Sequence, residues 1–162
     1  MIQRRQTIFM LLAAIASALL FFIPLISFND NGQAMDFTIF GIQNPIETIT
    51  LSSSYTWPLV ALAVLMTLVP LIAIFLYKKR ELQVRLCRIA MLVTVVFIGL
   101  VFLYYENDLK SIIAAVEGDE YELDVIYFIG MVFPLVSLVF DILAIRGIKK
   151  DIELLKSVER LR

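Results

Sequence analysis

Four long apolar runs constrain this chain more than any other feature of its sequence. They cover about residues 7–28, 57–77, 87–105 and 125–145. At ~1.5 Å rise per residue, ~20 helical residues cross a hydrocarbon core ~30 Å thick, so each run is long enough to span a membrane. Since 60% of the 162 residues are hydrophobic, a soluble core of this size could not bury them all. We therefore predict one domain over residues 1–162, an all-α bundle of four transmembrane helices.

The basic residues predict how these helices are oriented. Of the 14 lysines and arginines, all except Lys110 lie before the first run, between the second and third runs or at the very start of the third (Arg88), or after the fourth. The outer loops, residues 29–56 and 106–124, are instead acidic. By the positive-inside rule, both termini face the cytoplasm. We expect a multi-pass protein of the cell inner membrane.

The first outer loop carries a pattern typical of β-strands. "MDFTIFGI" and "ETITLSSSY" are rich in Thr, Ile and Phe with partial alternation, which predicts a small β-hairpin.

The tail, residues 146–162, has apolar residues three to four apart and predicts an amphipathic helix. Its basic residues suit either an anionic leaflet or a partner's groove, and a solvated continuation of the fourth helix fits equally well. The tail residues proposed to meet a membrane surface or a partner are Lys149, Lys150, Lys156, Arg160 and Arg162.

Asp141, a carboxylate inside the fourth apolar run, is the main candidate site. At ~100° per residue it shares a helical stripe of small and polar side chains, which favours a face turned toward neighbouring helices. The stripe comprises Tyr127, Gly130, Pro134, Ser137, Asp141 and Ala144.

The partner of Asp141 should come from another helix. Arg146 lies about 140° around the helix, so it is poorly placed to pair with Asp141. Arg88, Arg85 and the hydroxyl of Tyr77 are the better candidates, together with Arg4 and Arg5. We favour a structural ion pair, which would offset the insertion cost of the carboxylate, over a transport or catalytic role.

Several kinds of active site are not visible in the sequence. The chain has no histidine, which excludes imidazole ligands, and its one cysteine, Cys87, cannot form an internal disulfide. No catalytic constellation appears, and we expect no enzyme activity, no cofactor, no metal and no nucleic-acid partner.

Both ends of the chain resemble a known family. "MIQRRQTIFMLLAAIASALLFF" and the terminal "KDIELLKSVERLR" are similar to the DUF4293 family, uncharacterised four-helix membrane proteins of Bacteroidota. Arg5 and Glu159 depart from the family pattern, which has an apolar residue and an aspartate there. The resemblance implies four membrane helices but no activity, catalytic residue or cofactor. Claudin-like and tetraspanin proteins share the layout, but their outer-loop cysteines are absent here.

These observations lead to two functional hypotheses. The first is a non-catalytic accessory or scaffold protein that binds membrane lipid or a membrane-protein partner through its tail and outer hairpin. The alternative is a small transporter or channel subunit that uses Asp141. A membrane enzyme ranks third, because the sequence shows no nucleophile, metal site or acid–base pair. The sequence leaves the oligomeric state open.

Overall fold

The described residues form four helices and a small three-stranded sheet. The computed structural model describes residues 3–30, 33–43, 53–77, 79–105 and 129–160. The helices are α1 (Gln3–Leu19), α2 (Ser53–Phe75), α3 (Arg80–Leu100) and α4 (Val132–Arg160). A π-helical turn, Val101–Tyr105, follows α3, and a 3-10 turn, Ile129–Met131, precedes α4. The strands are β1 (Ile26–Asp30), β2 (Gln33–Thr38) and β3 (Gly41–Gln43).

The helices pack in cyclic order. α1 lies against α2 and α4, and α3 lies against the same two helices. We call the end that carries β1–β3 the sheet end. The opposite end, which holds the start of α1, the turn between α2 and α3, and the last part of α4, is called the basic end.

The first helix is shorter than its apolar run. Its prediction as a helix to residue 28 is wrong at the end, because α1 stops at Leu19 and β1 begins at Ile26. Pro24 lacks an amide proton and disfavours helical geometry in the residue before it, so continuation of α1 to residue 28 is unfavourable. The Leu25 amide instead donates to the Phe37 carbonyl at 2.8 Å, which starts the pairing of β1 with β2.

The sheet occupies the place where a hairpin was predicted, but its strands differ. It is an antiparallel meander in the order β1-β2-β3, with Phe37 opposite both Ile26 and Ile42. "MDFTIFGI" contributes most of β2, a tight turn and the start of β3. Gly41 ends that turn with φ of 133°, a conformation that favours glycine. Residues 47–52 of the second predicted strand lie outside the described residues, and α2 already begins at Ser53.

The other helices extend beyond their apolar runs. α2 and α3 begin before residues 57 and 87, and α4 continues without a break through the tail to Arg160. In α3 the bound moves because the flanking segment "RELQVR" consists mostly of strong helix formers. The tail is helical and continuous with the fourth helix, and its contact with an anionic leaflet or a partner's groove stays a prediction. The predicted outer loop at 106–124 and the start of the fourth run lie outside the described residues.

Two of the described helices are long and apolar enough to cross a membrane. They are Thr56–Phe75 and Arg80–Leu103, judged by length and composition, and Gln6–Leu19 is a shorter apolar helix.

The interior has an apolar cluster near each end and a mixed layer between them. The sheet-end cluster includes Leu20, Phe37, Met66, Phe97 and Met131. The basic-end cluster consists of Met10, Ala73, Val84, Cys87, Ala144 and Ile148. Each helix carries small or polar buried residues between its members of the two clusters. We call these residues the middle layer: Ala13, Ser17, Pro70, Ala90, Thr94, Ser137 and Asp141.

Candidate functional site around Asp141

The stripe predicted on the fourth helix is the face that packs inward. Ser137, Asp141 and Ala144 are each 0% exposed, and Gly130 and Pro134 are also buried. Val132 and Val139, on the opposite side, are more than half exposed. The predicted orientation of Asp141 is therefore confirmed. Tyr127 lies outside the described residues.

The hydroxyl groups of the middle layer are hydrogen-bonded. Ser17 Oγ donates to the Ala13 carbonyl at 2.9 Å, and Ser137 Oγ reaches the same carbonyl at 3.2 Å. The two hydroxyls lie 3.0 Å apart, so they join α1 to α4. Thr94 Oγ1 donates to the Ala90 carbonyl, one turn back on α3, at 3.0 Å. A buried hydroxyl without such a partner would destabilise the fold.

Asp141 differs from these residues. It lies one turn after Ser137, it is fully buried, and neither carboxylate oxygen has a hydrogen-bond partner among the described residues. Buried polar groups in native structures are nearly always paired, so an exception calls for a physical explanation.

The predicted ion pair of Asp141 with Arg85 or Arg88 is wrong. Both arginines are exposed at the basic end. The buried side of α3 is defined by Val84 and Cys87, and Arg88 lies ~100° and Arg85 ~200° around the helix from Cys87. Those angles turn both guanidinium groups away from the interior, where α3 buries Val84 and Cys87 instead.

The remaining candidate partners of Asp141 are Tyr77, Arg4 and Arg5. Tyr77 lies in the turn between α2 and α3, more than half exposed, and its hydroxyl does not pair with Asp141. The side chains of Arg4 and Arg5 lie outside the described part of the chain.

Two glutamines that the sequence pattern does not single out are buried in the structure. Gln83, 4% exposed, donates from Nε2 at 3.1 Å to the Ala73 carbonyl near the end of α2, which also accepts from the Leu76 amide at 3.2 Å. Gln6 is 6% exposed, and its Nε2 has no partner among the described residues. It packs on Gly147, where an added Cβ would lie 3.0 Å from Gln6 Cγ. A polar residue inside an otherwise apolar helical face was the only signal available for either glutamine.

A groove at the basic end is lined by residues predicted to have two different roles: pairing with Asp141, and contact of the tail with a membrane or partner. Its volume is about 240 Å³, and Arg85 and Arg88 of α3 line it together with Lys149 of α4. Lys150 is exposed nearby on α4, whereas the side chains of Lys156 and Arg160, and the whole of Arg162, lie outside the described structure. Arg85 and Arg88 therefore belong with the tail lysine and not with Asp141.

The described residues contain no group of three His, Cys, Asp or Glu side chains that could hold a metal ion. The chemistry that the middle layer offers is that of one carboxyl group able to take up or release a proton. The basic groove offers positive charge and guanidinium donors suited to an anion.

Comparison with known proteins identifies the family of the chain. The model of the domain of unknown function DUF4293 matches residues 2–161, essentially the whole chain. The protein therefore belongs to the DUF4293 family. No curated protein and no solved structure matches it.

Proposed function

We propose that the protein is a four-span inner-membrane protein that serves as a non-catalytic accessory or scaffold. The observation that carries the membrane placement is that all four helices expose large apolar side chains. Such contiguous apolar surface is rare on soluble monomers and is stable against lipid. The exposed residues include Ile8, Leu11 and Ile15 of α1, Leu65, Leu68 and Ile72 of α2, Ile89, Leu92, Val95 and Val96 of α3, and Val132, Leu135 and Val139 of α4.

Exposed aromatic residues at both ends support the same placement. Trp57, Phe22 and Phe40 are exposed at the sheet end, and Phe75 and Tyr77 are exposed near the basic end. Trp57 and Phe75 lie on one helix at a separation of about 27 Å, close to the thickness of a hydrocarbon core. Aromatic residues are enriched at both interfaces of a membrane. With the basic end in the cytoplasm, both termini are cytoplasmic, as the positive-inside rule requires.

Labelling of single cysteines tests the topology. Replacing Cys87 by alanine gives a background without thiols, since the chain has one cysteine. Gln43→Cys at the sheet end and Lys79→Cys at the basic end are a matched pair, because both positions are exposed. In intact spheroplasts, a membrane-impermeant maleimide should label position 43 alone, and lysis should be needed to label position 79. Equal labelling of both before lysis would contradict the proposed orientation.

The end of α4 supports the accessory role. It continues beyond the packed residues Ile148 and Asp151 and exposes Leu154 and Leu155, each nearly half accessible. An amphipathic helix with free leucines can enter a partner's groove. Affinity purification in mild detergent should recover a reproducible partner or lipid with the native chain but not with Leu154→Ser/Leu155→Ser. A clean monomer without either from the native chain would count against the accessory role.

A transporter or channel subunit is the second candidate, and Asp141 is the observation that favours it. An unpartnered carboxylate between helices is a common element of ion and proton pathways. In proteoliposomes, Asp141→Asn should abolish an ion or proton flux that the Ser137→Ala variant retains. A flux that survives Asp141→Asn would rule out this use of the carboxylate.

A further inference from the structure

The groove at the basic end is a cationic site between two helices. Arg85 and Arg88 approach it from α3 and Lys149 from α4, and Val84 and Ile152 supply its apolar lining. Glu81 is the one acidic residue in the lining, so the charge of the lining is positive overall.

The three cations are not neutralised within the described structure. None of them forms an ion pair with another described residue, and all three side chains are exposed. Arg85 lies one turn from Glu81 on α3, yet the two do not form a salt bridge. Three unpaired cations on facing helices favour an anion from outside the chain.

The surface beside the arginines is apolar. On α3, Leu82 and Ile89 lie three and four residues from Arg85, and Leu92 lies four residues from Arg88, so they share its surface. All three are exposed, from 38% for Leu82 to 61% for Leu92. A free anion would leave this apolar surface uncovered, whereas the acyl chains of a lipid would cover it.

We propose that the groove binds the phosphate of an anionic phospholipid headgroup, with Arg85, Arg88 and Lys149 as its donors. A guanidinium group can donate two parallel hydrogen bonds to a phosphate, and Lys149 adds a third positive charge from α4. Basic pockets between membrane helices on the cytoplasmic side bind such headgroups. The site rests on the proposed membrane placement, and it makes one specific lipid class the ligand of the accessory protein.

Native mass spectrometry of the protein in neutral detergent tests this site. The probes are phosphatidylglycerol, phosphatidylcholine and inorganic phosphate, each added separately. Arg85→Gln/Arg88→Gln/Lys149→Gln removes the groove charges. Lys79→Gln/Arg146→Gln/Lys150→Gln is the matched control, because it removes the same charge from three exposed basic-end positions that do not line the groove.

We expect the native protein to retain phosphatidylglycerol in preference to phosphatidylcholine. The groove variant should bind it roughly tenfold more weakly or worse, and the control variant within about twofold of native. Equal loss in both triple variants would mean diffuse surface attraction and would overturn the site. Binding of inorganic phosphate as tight as that of the lipid would overturn the lipid assignment.

Two further measurements separate the possible failures. Helical circular dichroism and a monodisperse elution profile check folding, and Arg88→Gln alone replaces the triple variant if the latter aggregates. The cysteine labelling described above tests the membrane orientation without reference to lipid. Correct labelling combined with absence of lipid preference therefore refutes the groove while leaving the membrane placement standing.

Discussion

Asp141 illustrates what a single residue's neighbours decide. The helical stripe places it correctly in the interior, and burial is complete. Whether Arg85 or Arg88 reaches Asp141 could not be deduced, because that depends on the rotation of α3 about its own axis. α3 buries Val84 and Cys87 and turns Arg85 and Arg88 outward. A carboxylate predicted to be a structural tie between helices is left without a hydrogen-bond donor among the described residues.

Asp141→Leu should leave the melting temperature in detergent unchanged or raise it. The two side chains branch at the same carbon, and no hydrogen bond seen in the described structure is lost. Removing an unsatisfied buried polar group is worth about 1–3 kcal/mol in the free energy of unfolding. Thermal unfolding followed by circular dichroism measures this change.

Ser137→Ala is the control for that substitution. It removes the hydroxyl that reaches the Ala13 carbonyl, so it should lower the free energy of unfolding by about 0.5–1.5 kcal/mol. If Asp141→Leu proved the more destabilising of the two, the carboxylate would have to hold a partner after all.

At the scale of the elements, the sheet end is fixed by a close contact between chain segments. Gly130, just before α4, lies against the backbone of Pro24 and Leu25, where β1 begins. Only a residue without Cβ fits there, since an added Cβ would lie 2.7 Å from Leu25 Cα and still closer to the Pro24 carbonyl oxygen. The termination of α1 before Pro24 and the position of α4 are therefore linked.

Gly130→Ala should destabilise the protein by about 1–3 kcal/mol, because the neighbouring atoms are backbone and cannot give way by changing rotamer. Gly99→Ala on α3 is the matched control. An added Cβ there meets nothing within 4 Å, so that substitution should be neutral or stabilising by up to ~1 kcal/mol. Melting temperatures of the two variants, measured side by side, test the contact. Equal values would show that the sheet end tolerates the extra carbon.

At the scale of the whole molecule, the exposed apolar surface is the dominant property. Under the proposed placement, Leu92, 61% exposed midway along α3, faces hydrocarbon, whereas Leu154, 47% exposed near the end of α4, lies in the cytoplasm. The two leucines are similarly exposed within the protein, and the proposed membrane alone distinguishes them.

Leu92→Lys should therefore impair insertion, with a cost of about 2.5–3.5 kcal/mol near the centre of a bilayer. Leu154→Lys should leave insertion unchanged. The fraction of each variant that stays in the membrane pellet after an alkaline carbonate wash measures the effect. Equal retention of both variants would argue against placing α3 across the membrane.

The sequence by itself determined the existence of the four described helices, the segregation of charge, the inward face of α4 and the presence of β structure before α2. These properties follow from composition and from local periodicity, which a single chain segment contains. The tertiary structure alone decided which strands pair, where α1 ends, that Gln83 donates to a carbonyl near the end of α2, and that Arg85 and Arg88 meet Lys149 and not Asp141. Each of these depends on how one helix is rotated and placed against another, and local sequence does not encode that relation.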